Sequence, residues 1–489
     1  MTLSTRRENS AGSSEGGGAE GLGRTFCFSA QAAKRRMASS FLSAGQRRGM
    51  RMRSFSPLIL ARAVLQRSYW ISVSMRAILT YPWFIRPKRG GWNRRSLLPS
   101  TGLESRNREE AVIEFFFWVG VALTLHGYLG YGAFLWFLAR RWGKPSSWRP
   151  HTPRLTLIVA AYNEEAVIAE KLENCLALNY PPESLEILVV ADGSDDATVE
   201  IARKYPRVKV AYSPKREGKL AAVNRVVPLS EGEILVFSDA NAFYHKDSLL
   251  RLAGHFHDPR VGAVAGEKRV VGEGIGSEEG FYWRYESTLK RWDSRLSSVM
   301  GAAGEIFALR RELYFPLPTD TVIEDFVLSM ELVRKGYRVV YERDAIATEQ
   351  ASSSIREEWK RKTRIAAGGW QAVFRLWPLL IPTRPLIWFQ YVSHRVLRWT
   401  IIPLLLPGLL LESLLLPGAI YRILFGAQVL FYGLAFLGYR KMRKGPSPKV
   451  LALPFYFAFF NLAALVGGTR FLLGWKPAIW EKARREKLG

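Results

Sequence analysis

The sequence predicts an α/β domain on a mostly parallel sheet, set between apolar helices of membrane-spanning length. Three observations carry this. From residue 155 to 271, short runs rich in β-branched residues alternate with segments of helical period, the pattern of repeated strand–helix units. The first run, LTLIVAAY at 155–162, is apolar almost throughout, as a strand covered on both faces must be. Outside this region the apolar residues gather in blocks at 111–139, 400–416, 419–439 and 450–473, and about 20 apolar residues suffice to cross a bilayer.

Taken in order, strands are expected at 155–161, 186–191, 208–212, 233–238 and 262–271, with helices at 164–178, 195–205, 219–227 and 246–256. A long amphipathic helix at 278–299, a loop at 301–311, a helix at 322–335 and a strand at 337–341 follow. Residues 353–377 are amphipathic, basic and aromatic, which suits a helix lying on a membrane surface. In open α/β sheets ligands bind beyond the carboxyl ends of the strands, so Ala160 to Glu165 should form the lip of a pocket.

Charge narrows the class. The 489 residues carry a net +27, with 48% hydrophobic and 13% aromatic residues. Charge alone would suit nucleic acid, but no nucleic-acid motif is present and the apolar residues are blocked into runs; no nucleic-acid partner is expected. Cys27 and Cys175 are the only cysteines, too few for a disulfide framework or a cysteine zinc site. Residues 1–110 hold 20 Lys and Arg against 6 Glu and no Asp, about half of the net charge. This stretch reads as a disordered basic extension, or as the product of a start set too far upstream, with Met75 an alternative beginning. The basic loop at 440–444 is expected on the cytoplasmic side; three C-terminal crossings would then place the basic tail outside, against the same rule.

Four acidic clusters fall at strand ends or a helix start: Asn163-Glu164-Glu165, Asp192-Gly193-Ser194-Asp195-Asp196, Asp239-Ala240-Asn241 and Glu324-Asp325. Any one of them is explained by capping or turn chemistry. Their convergence on one edge of one sheet is not. A hard divalent cation takes oxygen ligands, one or two carboxylates completed by substrate phosphate oxygens, and Asp239 with Asn241 two residues on supplies that type of site from an extended segment. Lys219, after Gly218 at a helix start, adds positive charge where backbone N–H groups favour anions. Together these features describe a nucleoside-diphosphate pocket.

The motifs VAAYNEE, ADGSDD, GKLAAVN, FSDANA, the 301–311 loop, VIED and RKTRIAAGGW stand in an order and approximate spacing that resembles family 2 glycosyltransferases. The likeness is to the membrane-embedded branch with cellulose, hyaluronan, chitin and poly-N-acetylglucosamine synthases, and it covers about 155–370. It implies a GT-A-like nucleotide-sugar-binding domain with a Rossmann-like, mostly parallel sheet, inserted between transmembrane helices. By the same resemblance, Ala160, Tyr162 and Glu164 line the base pocket and Asp192 holds the nucleoside. Lys219 belongs to the same pocket. Asp239 approaches a Mg²⁺ or Mn²⁺ on the diphosphate, with Asn241 in the place of the second acid, and Arg364 pairs with the diphosphate. Asp325, preceded by Glu324, is the general base for an inverting displacement.

One motif departs from the family. The polymer synthases carry Gln-x-x-Arg-Trp, where this chain has Arg361-Lys362-Thr363-Arg364-Ile365. The aromatic that places the acceptor is absent at 365, and Trp370 lies five residues on. The resemblance implies a membrane-bound inverting hexosyltransferase using a UDP-sugar and facing the cytoplasm from the plasma (inner) membrane. It would extend a polysaccharide or glycan, with coupling to export and an export partner left open. Single addition to a lipid or glycan acceptor, and a non-catalytic nucleotide-sugar-binding regulatory protein, are the alternatives. Trp388, Tyr391, His394, Arg395, Arg398 and Trp399 would border a channel entrance or form an interfacial belt. The expected plan is an extension at 1–110, a membrane helix at 111–141, and the GT-A domain at 152–350. Interfacial helices with Arg364 follow at 351–399, then membrane helices at 400–475 and a basic tail at 476–489.

Overall fold

The computed structural model describes residues 101–271, 280–352, 354–443, 445 and 447–474. The readings for residues 1–100 and for the basic tail lie outside them. The described chain opens with helix α1 (Thr101–Leu125), passes through a π-helical turn (His126–Gly130) and continues as α2 (Tyr131–Arg141). Its hydrophobic stretch ends at Arg140 and Arg141, and Phe115, Phe116 and Trp136 stand exposed along it.

The strands β1 (Leu155–Ala161), β2 (Leu185–Asp192), β3 (Val208–Ser213), β4 (Ile234–Asp239), β5 (Phe243–Tyr244), β6 (Val261–Val271), β7 (Phe307–Arg310) and β8 (Arg338–Gln350) form one sheet in the order 3-2-1-4-7-6-8-5. The pairs β1–β2, β2–β3, β1–β4 and β6–β8 are parallel. The expectation of a mostly parallel sheet holds for the first half. Beyond β4 the sheet is mixed, because β7 runs antiparallel between β4 and β6 and β5 antiparallel beside β8.

Every residue of β1 is buried, since helices cover both faces. On one face lie α5 (Lys219–Val226) and α8 (Glu324–Lys335), which bring Leu220, Val223, Phe326 and Met330 against Ile158 and Leu235. On the other lie α3 (Ile168–Leu176) and α6 (Ser248–Ala253), which bring Ile168, Leu172, Cys175 and Leu249 against Leu157, Val159 and Val236. Between β2 and β3 comes the short α4 (Thr198–Arg203). Burial of these side chains, each worth about 1.5–3 kcal/mol when complete, holds the sheet edge in place.

The amphipathic helix α7 (Gly280–Leu296) docks on α2, where Tyr131 and Leu135 enclose Leu289. The surface-helix reading for 353–377 becomes α9 (Ile355–Arg375), with Ser354 capping it through Glu357 N. It packs along α13 (Lys449–Leu472), where Gly467 and Gly468 meet Ala366, Ala367 and Trp370. The run expected from about 400 starts earlier: α10 (Pro385–Tyr391), a π-helical stretch (Val392–Ile401) and α11 (Ile402–Leu415) form one helix, followed by α12 (Ala419–Met442). Among the described residues four helices, Glu109–Arg141, Pro385–Leu415, Ala419–Met442 and Lys449–Leu472, are long and apolar enough to cross a membrane.

Candidate functional site

Parallel register sets the site's geometry. Ala160 pairs with Asp239, Ala161 with Ala191, and Asp192 with Ser213, so the carboxyl ends of β1, β2, β3 and β4 finish on one edge. Two turns interlock there. Asn163, at φ 52°, receives Asp195 N on its Oδ1 at 3.0 Å and donates its Nδ2 to Asp195 Oδ1 at 2.6 Å. Glu164 N donates to Thr198 Oγ1 at 2.7 Å.

Beside these turns Ala160, Ala161, Tyr162, Val190, Asp192, Arg216, Gly218, Lys219 and Ala222 line a pocket. Of the residues expected at the nucleotide-sugar pocket, Ala160, Tyr162, Asp192 and Lys219 meet here. Glu164 is buried in the turn behind and is not part of the lining. Asp192 also builds one wall: its Oδ2 accepts Glu217 N at 2.9 Å and Gly218 N at 2.6 Å, and its Oδ1 accepts Arg225 Nη2 at 2.9 Å. Gly218 stands at φ +98°, a backbone state that favours glycine. Arg216, not anticipated, lies with its guanidinium 3.7 Å from the Tyr162 ring centre. Arginine stacking on an aromatic is worth about 0.5–2 kcal/mol.

The acidic half lies alongside. Lys219 Nζ is 2.7 Å from Asp239 Oδ1 and 3.2 Å from Glu324 Oε1, so one cation joins α5, β4 and the start of α8. Burial opposes that charge, but Asp239 and Glu324 outweigh it and hold the lysine well above its ordinary pKa. Burial raises Asp239 as well, against the pull of Lys219. At Asp325, burial, reinforced by Glu324 and Glu305 and partly offset by Lys219, pushes the carboxyl up to about 7. A carboxylate titrating near neutral pH is suited to proton transfer. Gly304 gives it room: a Cβ there would stand 3.3 Å from Asp325 Oδ2.

Glu305, Lys268 and Glu349 escaped sequence reasoning. Lys268 pairs with both carboxylates and outweighs burial at Glu305, lowering it to about 2. Only Glu305's place after the Gly301–Gly304 stretch signalled it. Arg364 sits on α9, largely buried; burial lowers its pKa while Glu324, Asp239 and Asp325 pull it back up. Arg361 turns away and forms a bidentate pair with buried Glu358, at 3.0 and 2.7 Å. The Trp370 ring is taken up by Gly468 of α13.

One geometric expectation is corrected. Asp239 and Asn241 do not share an extended segment: Ala242 N donates to Asp239 O at 3.2 Å and closes a turn over 239–242. Among the described residues no group of three or more His, Cys, Asp or Glu could hold a metal ion. Asp239 and Asn241 still offer hard oxygen donors, and their number fits a cation whose shell is completed by phosphate oxygens.

The sequence model for "Glycosyl transferase family 2" matches residues 156–315, the span that holds all four strand ends and the Lys219–Asp239 pair. Over residues 156–315 the chain is therefore similar to family 2 glycosyltransferases. Over 248 residues it is 29% identical to a beta-monoglucosyldiacylglycerol synthase of Trichormus variabilis, covering 47% of this chain and 52% of that protein. Over 267 residues it is 28% identical to a poly-beta-1,6-N-acetyl-D-glucosamine synthase of Staphylococcus aureus, covering 52% and 64%. The chain thus spans about half to two thirds of these relatives' length. In fold it is similar to a mannosyltransferase of Pyrobaculum calidifontis, solved with GDP-Man and Mn²⁺, with TM-score 0.57, 24% identity, and coverage of 73% of this chain and 99% of that one. The glycosyltransferase domain therefore has the GT-A fold, with apolar helices on either side.

Proposed function

We propose that this protein is a membrane-bound inverting glycosyltransferase that moves a sugar from a nucleotide sugar, a UDP-sugar, to a hydroxyl of a lipid or glycan acceptor. The observation that carries the reading is the meeting of a near-neutral Asp325 with the Lys219–Asp239–Glu324 cluster beside the Tyr162–Asp192 pocket. In this reading Ala160, Tyr162 and Asp192 take the nucleoside, with Arg216 closing over the base on the Tyr162 side. Lys219 and Arg364 face the diphosphate, where a guanidinium fork fits phosphate oxygens. Asp239 and Asn241 would hold Mg²⁺ or Mn²⁺; when bound, the cation neutralises the leaving diphosphate. The acceptor oxygen forms its bond to the anomeric carbon as the bond to the β-phosphate oxygen breaks. Asp325 takes the acceptor's proton, and the nucleoside diphosphate leaves with the electron pair. Glu324, in the first turn of α8, keeps Asp325 basic through like-charge repulsion.

Single addition is favoured over polymerisation by one group of contacts. No aromatic stands at 365, Trp370 is packed on Gly468, and Tyr391, His394 and Arg398 are buried. The domain would face the cytoplasm from a multi-pass position in the plasma (inner) membrane.

The test is UDP release by the detergent-solubilised protein with Mn²⁺ and a panel of UDP-sugars, beside Asp325→Asn, with products sized in the same run. Removing a general base should cost about 10²–10⁴-fold, and the products should be single additions. Equal UDP release by both proteins would remove Asp325 as the base; long chains would overturn single addition.

A further inference from the structure

Lys171 on α3 is fully buried on the far side of the sheet from the Asp325 pocket, among the apolar side chains around Leu172 and Leu249. A buried ammonium is costly unless its hydrogen bonds are met. Among the described residues its hydrogen-bond partners are a hydroxyl and a backbone carbonyl. Nζ donates to Ser238 Oγ at 2.8 Å and to the Ala242 carbonyl, and it lies 4.4 Å from the Tyr244 ring centre.

The choice of partners is informative. Ser238 immediately precedes Asp239 and Ala242 immediately follows Asn241, so one side chain grips both ends of the turn that carries the two oxygen donors. Tyr244 closes the other side, its hydroxyl donating to Phe237 O at 2.9 Å and sharing Glu305 O at 3.0 Å. The turn has one hydrogen bond of its own, Ala242 N to Asp239 O. A four-residue turn so held is pinned at its base, beneath Ala240 and Asn241, and Ala240 N donates to Ala160 O at 3.2 Å.

We propose that Lys171 is a positioning residue for a divalent-cation site at Asp239 and Asn241: it holds Ser238 and Ala242 so that both donors present their oxygens to one ion. This rests on the reading of Asp239 and Asn241 given above. Supporting contacts of this kind are worth about 10–100-fold in metal affinity. Lys171 never touches the ion or the substrate; it acts through the turn.

The experiment measures Mn²⁺ binding to the full-length protein in detergent, with and without UDP, by the loss of the free-ion paramagnetic resonance signal. Lys171→Met keeps the length and apolar stem and removes the donors. It should weaken Mn²⁺ binding about 10–100-fold, with UDP release restored by excess Mn²⁺. Ser238→Ala, a smaller change, should weaken it several-fold and decides the matter where Lys171→Met does not fold. Unchanged Mn²⁺ affinity in a folded Lys171→Met protein, even with a lowered melting temperature, would overturn the proposal and leave Lys171 as a core lysine. Unchanged affinity in Ser238→Ala would do the same. Asp239→Asn separates the two levels: if it binds Mn²⁺ as the unmodified protein does, or if the unmodified protein binds none, the cation site falls and the proposal with it.

Discussion

Asp325 gathers its basicity from three sources that act at different ranges. Burial strips water from the carboxylate, Glu324 adds a like charge from the adjacent residue, and Glu305 adds another from across the pocket. Lys219 pulls the other way. For a proposed base the sign is direct: the active form is the carboxylate, so kcat/KM should rise with pH through a limb centred near 7. Glu324→Gln removes a raising charge and should move that limb to lower pH, whatever it does to the maximum rate. A limb that stays in place in the variant would mean another group sets it. The residues of this cluster that sequence reasoning finds, Asp239, Lys219, Glu324 and Asp325, all sit in short contiguous motifs at element ends. Those it misses, Lys171, Lys268, Glu305 and Glu349, owe their roles to partners far along the chain; Lys171 meets Ser238 across 67 residues. A lone lysine on an apolar helix face carries no mark of what it will touch.

Elements differ in legibility for a similar reason. The strand β1 is read from 155 to 161 without error, because covering both faces makes every residue apolar. By contrast β7 is four residues hidden in a stretch taken as a loop, and β8 runs nine residues beyond its expected end at 341. Both are defined by antiparallel or distant pairing and not by a local run. The seam between α9 and α13 is another element-scale feature, and it bears on Arg364. At Gly467 a Cβ would stand 2.6 Å from Thr363 O and 2.8 Å from Ala367 N, both backbone atoms that cannot swing aside. Close approach through small residues is how helices pack in lipid. Gly467→Ala should therefore push α9 off its seat and carry Arg364 with it. Since a shift of about 1 Å can cost about 100-fold in rate, a 10–100-fold fall in kcat/KM for the nucleotide sugar is expected. Gly426→Ala on α12, where nothing lies within 4 Å, is the matched control and should leave the kinetics unchanged. Equal kinetics in both variants would show that α9 does not depend on this seam.

At the scale of the molecule, the question is what fixes the sheet domain to the apolar helices that flank it. Hydrophobic contact between α7 and α2 supplies part of the answer, but the centre of the junction is charged. Asp293 accepts the Tyr131 hydroxyl at 2.5 Å and Gln390 Nε2 at 2.7 Å and pairs with His394 at 2.7 Å. Glu286 pairs with Arg398 at 2.5 Å, His394 at 3.3 Å and Arg395 at 3.5 Å. Tyr131 and Asp293 are 162 residues apart, so no local pattern announces the pairing; His394 and Arg398 read instead as candidates for a channel mouth. Burial opposes the charge on Glu286, yet Arg398, His394 and Arg395 hold its carboxyl well below the usual range. A depressed acid stabilises the fold fully above its unfolded pKa of about 4.3, and that contribution is lost as pH falls through the lower folded value. Glu286→Gln would leave the Arg398 charge buried without its counter-charge, a change that typically costs about 3–5 kcal/mol. Thermal unfolding in detergent should thus show a large drop for the variant, constant from about pH 5 to 8 and narrowing only below about pH 4. Tyr131→Phe, which removes one hydrogen bond and no charge, should cost about 1 kcal/mol. A gap that opened near neutral pH would place the titrating group elsewhere. A Glu286→Gln protein as stable as its parent would mean that apolar packing of α7 on α2 alone joins the domain to the flanking apolar helices.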